Sequence, residues 1–229
     1  MNFLSHFYFD RESTDPDRTL GMVLPDLVKN ARKDWCLRPE RQPHLFVNDR
    51  KMHSVLEGWN RHLAVDRYFH SSAFFLLHTQ KIKELIGPHL VRSVVRPSFV
   101  AHIALELMLD NLLLSQHIIK TEEFYRALAE ADKTSLRNFL ILNHISDPTP
   151  FFSFLDEFIS SAYLNDYRDE SHIIYALGRI CMRVWIDPFT DAEKIVITPV
   201  LIKYLHTLRE RYMDIFHEIE EKLTPYTLF

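Results

Sequence analysis

The chain has 229 residues, of which 47% are hydrophobic and 25% are charged, and its formal net charge is −4 at pH 7. This composition is typical of a globular protein and excludes disordered and collagen-like chains. The small negative charge gives no reason to expect nucleic-acid binding. With only 4 glycines, the sequence does not favour β hairpins or glycine-rich phosphate-binding loops.

Apolar residues recur at three- and four-residue spacing through most of the sequence, which predicts an all-α fold. Pro97 suits the first turn of a helix and Thr190 suits an N-cap, while the Asp-Pro pairs at 147–148 and 187–188 break the chain between helices. No repeat or composition shift marks a domain boundary, so we expect one helical bundle over residues 1–229. The predicted helices cover residues 18–33, 49–79, 97–118, 121–131, 133–144, 149–165, 169–185 and 191–223.

Three features bear on the cellular compartment. The first residues are apolar but carry no basic segment, as a signal peptide would. No stretch approaches the roughly 18 uninterrupted apolar residues of a membrane span. Cys36 and Cys181 match no metal-binding or redox spacing, so they are expected to be reduced thiols. Together these features predict a cytoplasmic protein.

The helix predicted over residues 49–79 carries a narrow polar stripe. His62, Asp66 and His70 follow one another at four-residue spacing. Positions four apart differ by only about 40° around a helix, so the three side chains share one face. Four residues also rise by about 6 Å, so no single ion can bind all three, although it can bind two of them.

The helix predicted over residues 97–118 carries a second stripe of the same kind. His102, Glu106 and Asp110 are the only ionisable residues between positions 101 and 114, and nearly every other position there is apolar. A helix that is apolar almost all round is usually buried. Buried charges must be paired, hydrogen-bonded or bound to a metal, because burying an unpaired charge costs much free energy.

Two such stripes in one chain favour a metal site. Two ligands from each of two facing helices would supply the nitrogen and oxygen donors that Zn, Mn and Fe accept. The alternative is that a stripe is only the solvent-exposed face of its helix, but the stripe at 102–110 contains no Lys or Arg. Asp26 is an isolated carboxylate in an apolar run and would by itself be a cap or a surface residue. The chain contains no GxSxG, Walker-type, GxGxxG or HExxH motif.

Several short segments resemble the motifs of one known family, in the same order along the chain. Residues 1–9, MNFLSHFYF, resemble its MNFLAH opening, and residues 21–29, GMVLPDLVK, resemble its GNLLGDFVK segment, which places Asp26 on the family's aspartate. Residues 58–66 resemble its G-x-x-L-H-R-x-I-D motif and residues 106–113 its D-x-x-x-D-H-F-L motif. Residues 162–183 resemble its W-L-x-x-Y and A-L-x-x-x-x-x-R motifs. The family is that of the acyl carrier protein phosphodiesterases.

The resemblance implies a helical fold related to HD-type metal-dependent phosphohydrolases. It also implies a divalent metal ion, with Mn favoured, and hydrolysis of the phosphodiester that links phosphopantetheine to a carrier-protein serine. The chain departs from the family at the residues of that site. Asn111 stands where the family has His, Glu106 where it has Asp, and His102 where it has a small residue. His70 and Ser72 stand where it has Asp and His, and we interpret His102 as the replacement for the lost imidazole.

Our working hypothesis is a metal-dependent phosphodiester hydrolase that acts on acyl carrier protein or another small phosphoester, with no nucleic-acid or membrane partner. Mn is the expected ion, Zn and Fe are alternatives, and a homodimer is left open. Asp66 or Glu106 is expected to orient or deprotonate the attacking water, with His6 and His70 as second-tier ligands. The alternatives are a di-iron-type redox protein, whose usual Glu-x-x-His spacing is absent, and a non-catalytic metal-binding helical protein. The predicted metal ligands are Asp26, His62, Asp66, His102, Glu106 and Asp110.

Overall fold

The computed structural model describes residues 1–224, and these residues form helices and no β-strand. The all-α class predicted from the apolar spacing is therefore confirmed for this part of the chain. Short 3₁₀ turns lie at residues 39–41, 43–45, 87–89, 163–168 and 170–172. The α-helices are α1 (Phe3–Tyr8), α2 (Pro16–Ala31), α3 (Arg50–Ser71), α4 (Ala73–Ile86), α5 (Pro97–Ser115), α6 (Thr121–Glu130), α7 (Lys133–Leu142), α8 (Thr149–Ser161), α9 (Ile173–Cys181), α10 (Asp191–Leu208) and α11 (Met213–Leu223).

Several helix starts follow the local chemistry of the sequence. Pro97 is the first residue of α5, where its missing N–H costs nothing. Thr190 caps α10 in a capping box, in which its side chain accepts from the Glu193 N–H and the Glu193 carboxylate accepts from the Thr190 N–H. Asp15 caps α2 by accepting from the backbone N–H groups of the next turn. The predicted starts at Pro97 and Thr190 are confirmed.

Two long helices of the prediction are each interrupted. The segment predicted over 49–79 breaks at Ser72, whose backbone is extended and whose hydroxyl accepts from the Phe75 N–H and donates to the Phe69 carbonyl. These two hydrogen bonds end α3 and start α4. The segment predicted over 191–223 likewise forms α10 and α11, with four residues between them. A short helix that was not predicted, α1, lies at the start of the chain, and all six of its residues are buried.

The described residues divide into two compact units, and the prediction of one domain stays a prediction. We call unit A the residues 1–2 and 67–118 together with those from 164 onward, and unit B the residues 3–66 and 119–163. In unit B, α1 packs on α2 and α6, and α8 packs on α2 and α6. Phe3 contacts Phe158 and Phe7 contacts Phe124, with ring centroids 5.1 and 5.3 Å apart. These aromatic contacts bury α1 in the core of unit B.

In unit A, α5 packs on α4 and α9, and α10 packs on the same two helices. Among the described residues, α5 is the one helix long and apolar enough to cross a membrane by length and composition. Most of its apolar stretch is buried inside the fold, including Leu105, Leu109 and Leu113. A buried core helix meets the same criteria, so α5 is described as such, and the cytoplasmic location stays a prediction.

Candidate metal centres

Two glycines bring α2 and α3 into close contact within unit B. A Cβ atom on Gly58 would lie 2.1 Å from the Arg18 carbonyl oxygen, and one on Gly21 would lie 2.2 Å from the Val55 carbonyl oxygen. Only residues without a side chain fit at this distance. The close approach places the Met22 carbonyl 2.8 Å from Nδ1 of His62. The His62 Nδ1–H therefore donates to this carbonyl, which leaves Nε2 to face another partner.

The first ligand group consists of His6, His62 and Asp66, all in unit B. One donor atom from each residue lies within 4.8 Å of the other two. Nε2 of His6 is 3.2 Å from Oδ1 of Asp66, and Nε2 of His62 is 3.6 Å from Oδ2. The rings of His6 and His62 are stacked, with centroids 3.8 Å apart. Two imidazoles and a carboxylate are a donor set that divalent transition metals accept.

His6 has no conventional hydrogen-bond partner in the described residues. Its side chain is fully buried, Nδ1 has no hydrogen-bond partner, and Nε2 lies 3.2 Å from Oδ1 of Asp66 outside the geometry of a conventional hydrogen bond. An unsatisfied buried polar group costs about 1–3 kcal/mol. Burial, followed by the neighbouring His62 ring, lowers the pKa of His6 to about 3, so the ring is neutral at neutral pH. A buried, neutral imidazole has the protonation state that a metal requires of its ligand.

Asp66 gives this group its access to solvent. Its side chain is 34% exposed, whereas those of His6 and His62 are almost completely buried. Burial alone would raise the pKa of the Asp66 carboxyl, but the adjacent His6 ring outweighs this and holds the pKa below its ordinary value. The carboxylate is therefore ionised at neutral pH and available to a cation from one side.

A network of charges holds α1 and its histidine in place. Arg61 precedes His62 on α3. Its Nη2 donates a hydrogen bond to the carbonyl oxygen of Phe9, just after the end of α1, at a distance of 2.9 Å. Asp10 is buried beside Arg18 of α2, with Nε and Oδ1 3.1 Å apart. Burial raises the pKa of Asp10, and Arg18 opposes this shift. The residues after α1 are thus tied to α2 through Arg18 and, through Arg61, to α3, which carries the other two members of the first ligand group.

The second ligand group consists of His70, His102 and Glu106, all in unit A. His70 lies in the last turn of α3, and the other two residues are one turn apart on α5. Oε1 of Glu106 is 2.9 Å from Nε2 of His102 and 3.4 Å from Nε2 of His70. The two Nε2 atoms are 3.2 Å apart. Both imidazoles are partly exposed, whereas Glu106 is nearly buried.

The spacing of these three atoms fits a single tetrahedral ion. Donor atoms bound at 2.0–2.1 Å to one tetrahedral ion are separated from each other by about 3.3 Å. The three observed separations, from 2.9 to 3.4 Å, bracket this value. Three protein ligands would leave the fourth position for water, as in catalytic rather than structural zinc sites.

The surroundings of the second group combine an apolar wall with a positive charge. The Phe75 ring lies edge-on to His70 and to His102, with both centroid distances at 5.0 Å. The α-amino group of Met1 is 3.1 Å from Oε1 of Glu106. Burial would raise the pKa of Glu106, but the Met1 amino group and the two imidazoles outweigh it and hold the pKa below its ordinary value. Glu106 is therefore an ionised carboxylate among donors that a cation would share.

The structure divides the predicted ligands differently from the sequence hypothesis. Two pairs, His62 with Asp66 and His102 with Glu106, had been expected to share one ion. Each pair instead forms its own group. His6 completes the first pair and His70 completes the second, and the sequence analysis had named both only as second-tier ligands.

Two predicted ligands belong to neither group. Asp26 is half-buried on α2, and Asp110 is fully buried on α5 one turn after Glu106. Asp110 is rotated by about 80° from His102 around the helix axis and lies about 12 Å further along it, so the two cannot bind the same ion. Asn111 donates from Nδ2 to the Tyr167 and Arg168 carbonyl oxygens, at 2.7 and 3.2 Å, so this position holds backbone together.

No helical periodicity in the sequence places His6 beside the other two residues of its group. It lies in a six-residue helix that is too short to show a helical pattern, and its partners come from sixty residues away. Comparison of the chain with protein-family models, with curated proteins and with solved structures found no match.

Proposed function

We propose that this chain is a metal-dependent phosphoester hydrolase whose reacting centre is the second ligand group. The observation that carries the proposal is the convergence of two imidazoles and one carboxylate, with donor atoms at the separations of a single ion, on a partly exposed face. The first ligand group is more enclosed, and we propose that it binds a second divalent ion.

The donor set suits the ions named from the sequence. Imidazole and carboxylate ligands accept Zn, Mn and Fe, and Mn is preferred here only because the resemblance to the phosphodiesterase family implies it. A divalent ion bound to three protein ligands lowers the pKa of a coordinated water and polarises a phosphoryl oxygen. In the hydrolysis, water attacks phosphorus, one P–O ester bond breaks, and the departing oxygen leaves as an alcohol after taking one of the water's protons.

The protein's own groups have distinct tasks in this scheme. Glu106 is ionised and nearly buried, so it supplies the negative charge of the second group. A carboxyl with such a low pKa is a weak proton acceptor, so Glu106 is better suited to bind the ion or to orient water than to remove a proton. His70 and His102 supply nitrogen ligands, and Phe75 packs against both rings from one side.

The test is a phosphoester panel with the full-length protein loaded with Mn, Zn or Fe. The panel contains p-nitrophenyl phosphate, bis-p-nitrophenyl phosphate and holo-acyl carrier protein, the last followed by mass spectrometry for loss of phosphopantetheine. We expect turnover of at least one substrate, and we expect His102→Gln to abolish it. The matched control is His53→Gln, because His53 is partly exposed on α3 outside both ligand groups and, within residues 1–224, forms an ion pair with Glu57 alone. Absence of turnover with all three ions, or full turnover by His102→Gln, would refute the hydrolase.

One feature of the donor set favours a second candidate function. Two histidines and one carboxylate are also the ligands of mononuclear non-haem iron enzymes that activate oxygen. An oxygen electrode with the Fe(II)-loaded protein tests this candidate. Oxygen consumption that His102→Gln eliminates, without phosphoester turnover, would replace the hydrolase with an iron-dependent redox function.

A further inference from the structure

Two neighbouring loops of unit A expose large aliphatic side chains. The loop between α4 and α5 exposes Val91 and Val94, at 80% and 59% of their surface. The loop after α9 exposes Val184 and Ile186, at 58% and 92%. Scattered exposed aliphatic residues are ordinary, but four on two adjoining loops form a patch that requires an explanation.

Contacts between the two loops make them one surface. Ser93 Oγ lies 3.4 Å from the Pro188 carbonyl oxygen, to which it donates a hydrogen bond. The second loop also contacts the start of α5, where the rings of Phe99 and Trp185 are in edge contact with centroids 5.1 Å apart. Trp185 is half-buried. We call this region the 91–96/182–188 surface.

The two segments carry more positive than negative charge. Arg92, Arg96 and Arg183 are all exposed and alternate with the exposed aliphatic residues, while Asp187 is the one acidic residue within the two segments. Arginines beside protruding aliphatic residues are a composition typical of segments that lie in the interface of a membrane. The arginines would contact lipid phosphates while the aliphatic tips enter the acyl boundary.

The shape of the surface favours a lipid bilayer over a partner helix. An amphipathic partner helix is bound in an apolar groove, where its anchors become enclosed. Side chains that are 80–92% exposed, as Val91 and Ile186 are, protrude from the surface and do not line a groove. We propose that the 91–96/182–188 surface binds an anionic lipid bilayer from one side, without spanning it. The sequence analysis expected no membrane partner, and the proposal does not depend on the hydrolase.

Vesicle co-sedimentation of the full-length protein tests the proposal. We expect binding to vesicles of phosphatidylcholine and phosphatidylglycerol, weaker binding in high salt, and little binding to phosphatidylcholine alone. The double variant Val91→Ser/Ile186→Ser should bind about tenfold more weakly. Arg92→Gln should weaken binding about fivefold, since each basic residue near the surface contributes about that factor.

The matched control is Val47→Ser/Ile141→Ser, which removes one exposed Val and one exposed Ile from unit B. We expect it to bind like the wild type. Quenching of tryptophan fluorescence by brominated lipids supplies a second readout, which Trp185→Phe should remove.

Three outcomes would overturn the proposal. They are the absence of binding to anionic vesicles, equal weakening by the control pair, and a Val91→Ser/Ile186→Ser protein that binds as tightly as the wild type. Self-association that this variant abolishes, in a protein that does not bind vesicles, would assign the surface to a second copy of the chain instead.

Discussion

Substitution of Gly58 by Ala should destabilise the protein strongly, although alanine favours helices. The added Cβ would lie 2.1 Å from the Arg18 carbonyl oxygen and 2.6 Å from the Met22 backbone nitrogen. Because these are backbone atoms, no side-chain rotation relieves the overlap, and α2 and α3 must separate by about 1 Å. Overpacking costs about 3 kcal/mol in tight sites, and helix propensity returns about 1 kcal/mol. The expected net loss is therefore about 2 kcal/mol or more.

Gly178 provides the matched control. It lies within α9, and a Cβ atom there would meet nothing within 4 Å. Gly178→Ala should raise the free energy of unfolding by about 0.5–1 kcal/mol. Urea unfolding followed by far-UV circular dichroism measures both variants. A Gly58→Ala protein as stable as the wild type would refute the close approach of α2 and α3, and with it the contact that orients His62.

Further predictions concern residues outside the ligand groups. Asn111→Ala should lower the free energy of unfolding by about 1–3 kcal/mol, because two backbone carbonyls lose their donor, and metal content measured on the same protein should not change. Ala162→Gly should raise the unfolding free energy by about 1 kcal/mol, because Ala162 has φ of 47° at the end of α8. Iodoacetamide should label the exposed Cys36 and spare Cys181, whose burial raises its pKa to about 12, so mass spectrometry should find one label in native and two in urea-unfolded protein.

The fold and part of the candidate site follow from local sequence rules. The pairs His62–Asp66 and His102–Glu106 are separated by one helical turn, so their proximity requires only that each segment is a helix. The same geometry explains why a stripe of three cannot serve one ion, since the first and third members differ by about 80° and about 12 Å along the axis. On α3, His62 and Asp66 accordingly belong to one group and His70 to the other.

The remaining ligands depend on tertiary packing that no local pattern contains. His6 is brought to Asp66 by the burial of α1 in unit B, and the break at Ser72 brings Phe75 to His70 and His102. Serine is compatible with either a helix interior or a cap, so its position alone does not decide between them. The low glycine content was interpreted only as favouring helices, whereas Gly21 and Gly58 are needed for the contact between two of them.

Metal stoichiometry tests the central claim most directly. Elemental analysis would compare the wild type with Asp66→Asn, with His102→Gln and with the double variant, each equilibrated with Mn, Zn or Fe and freed of unbound ion. Because each ligand group is proposed to bind its own ion, we expect two ions in the wild type, one in each single variant and none in the double variant. A wild type that takes up none of the three metals, or a single variant that loses all bound metal, would contradict the two-centre account.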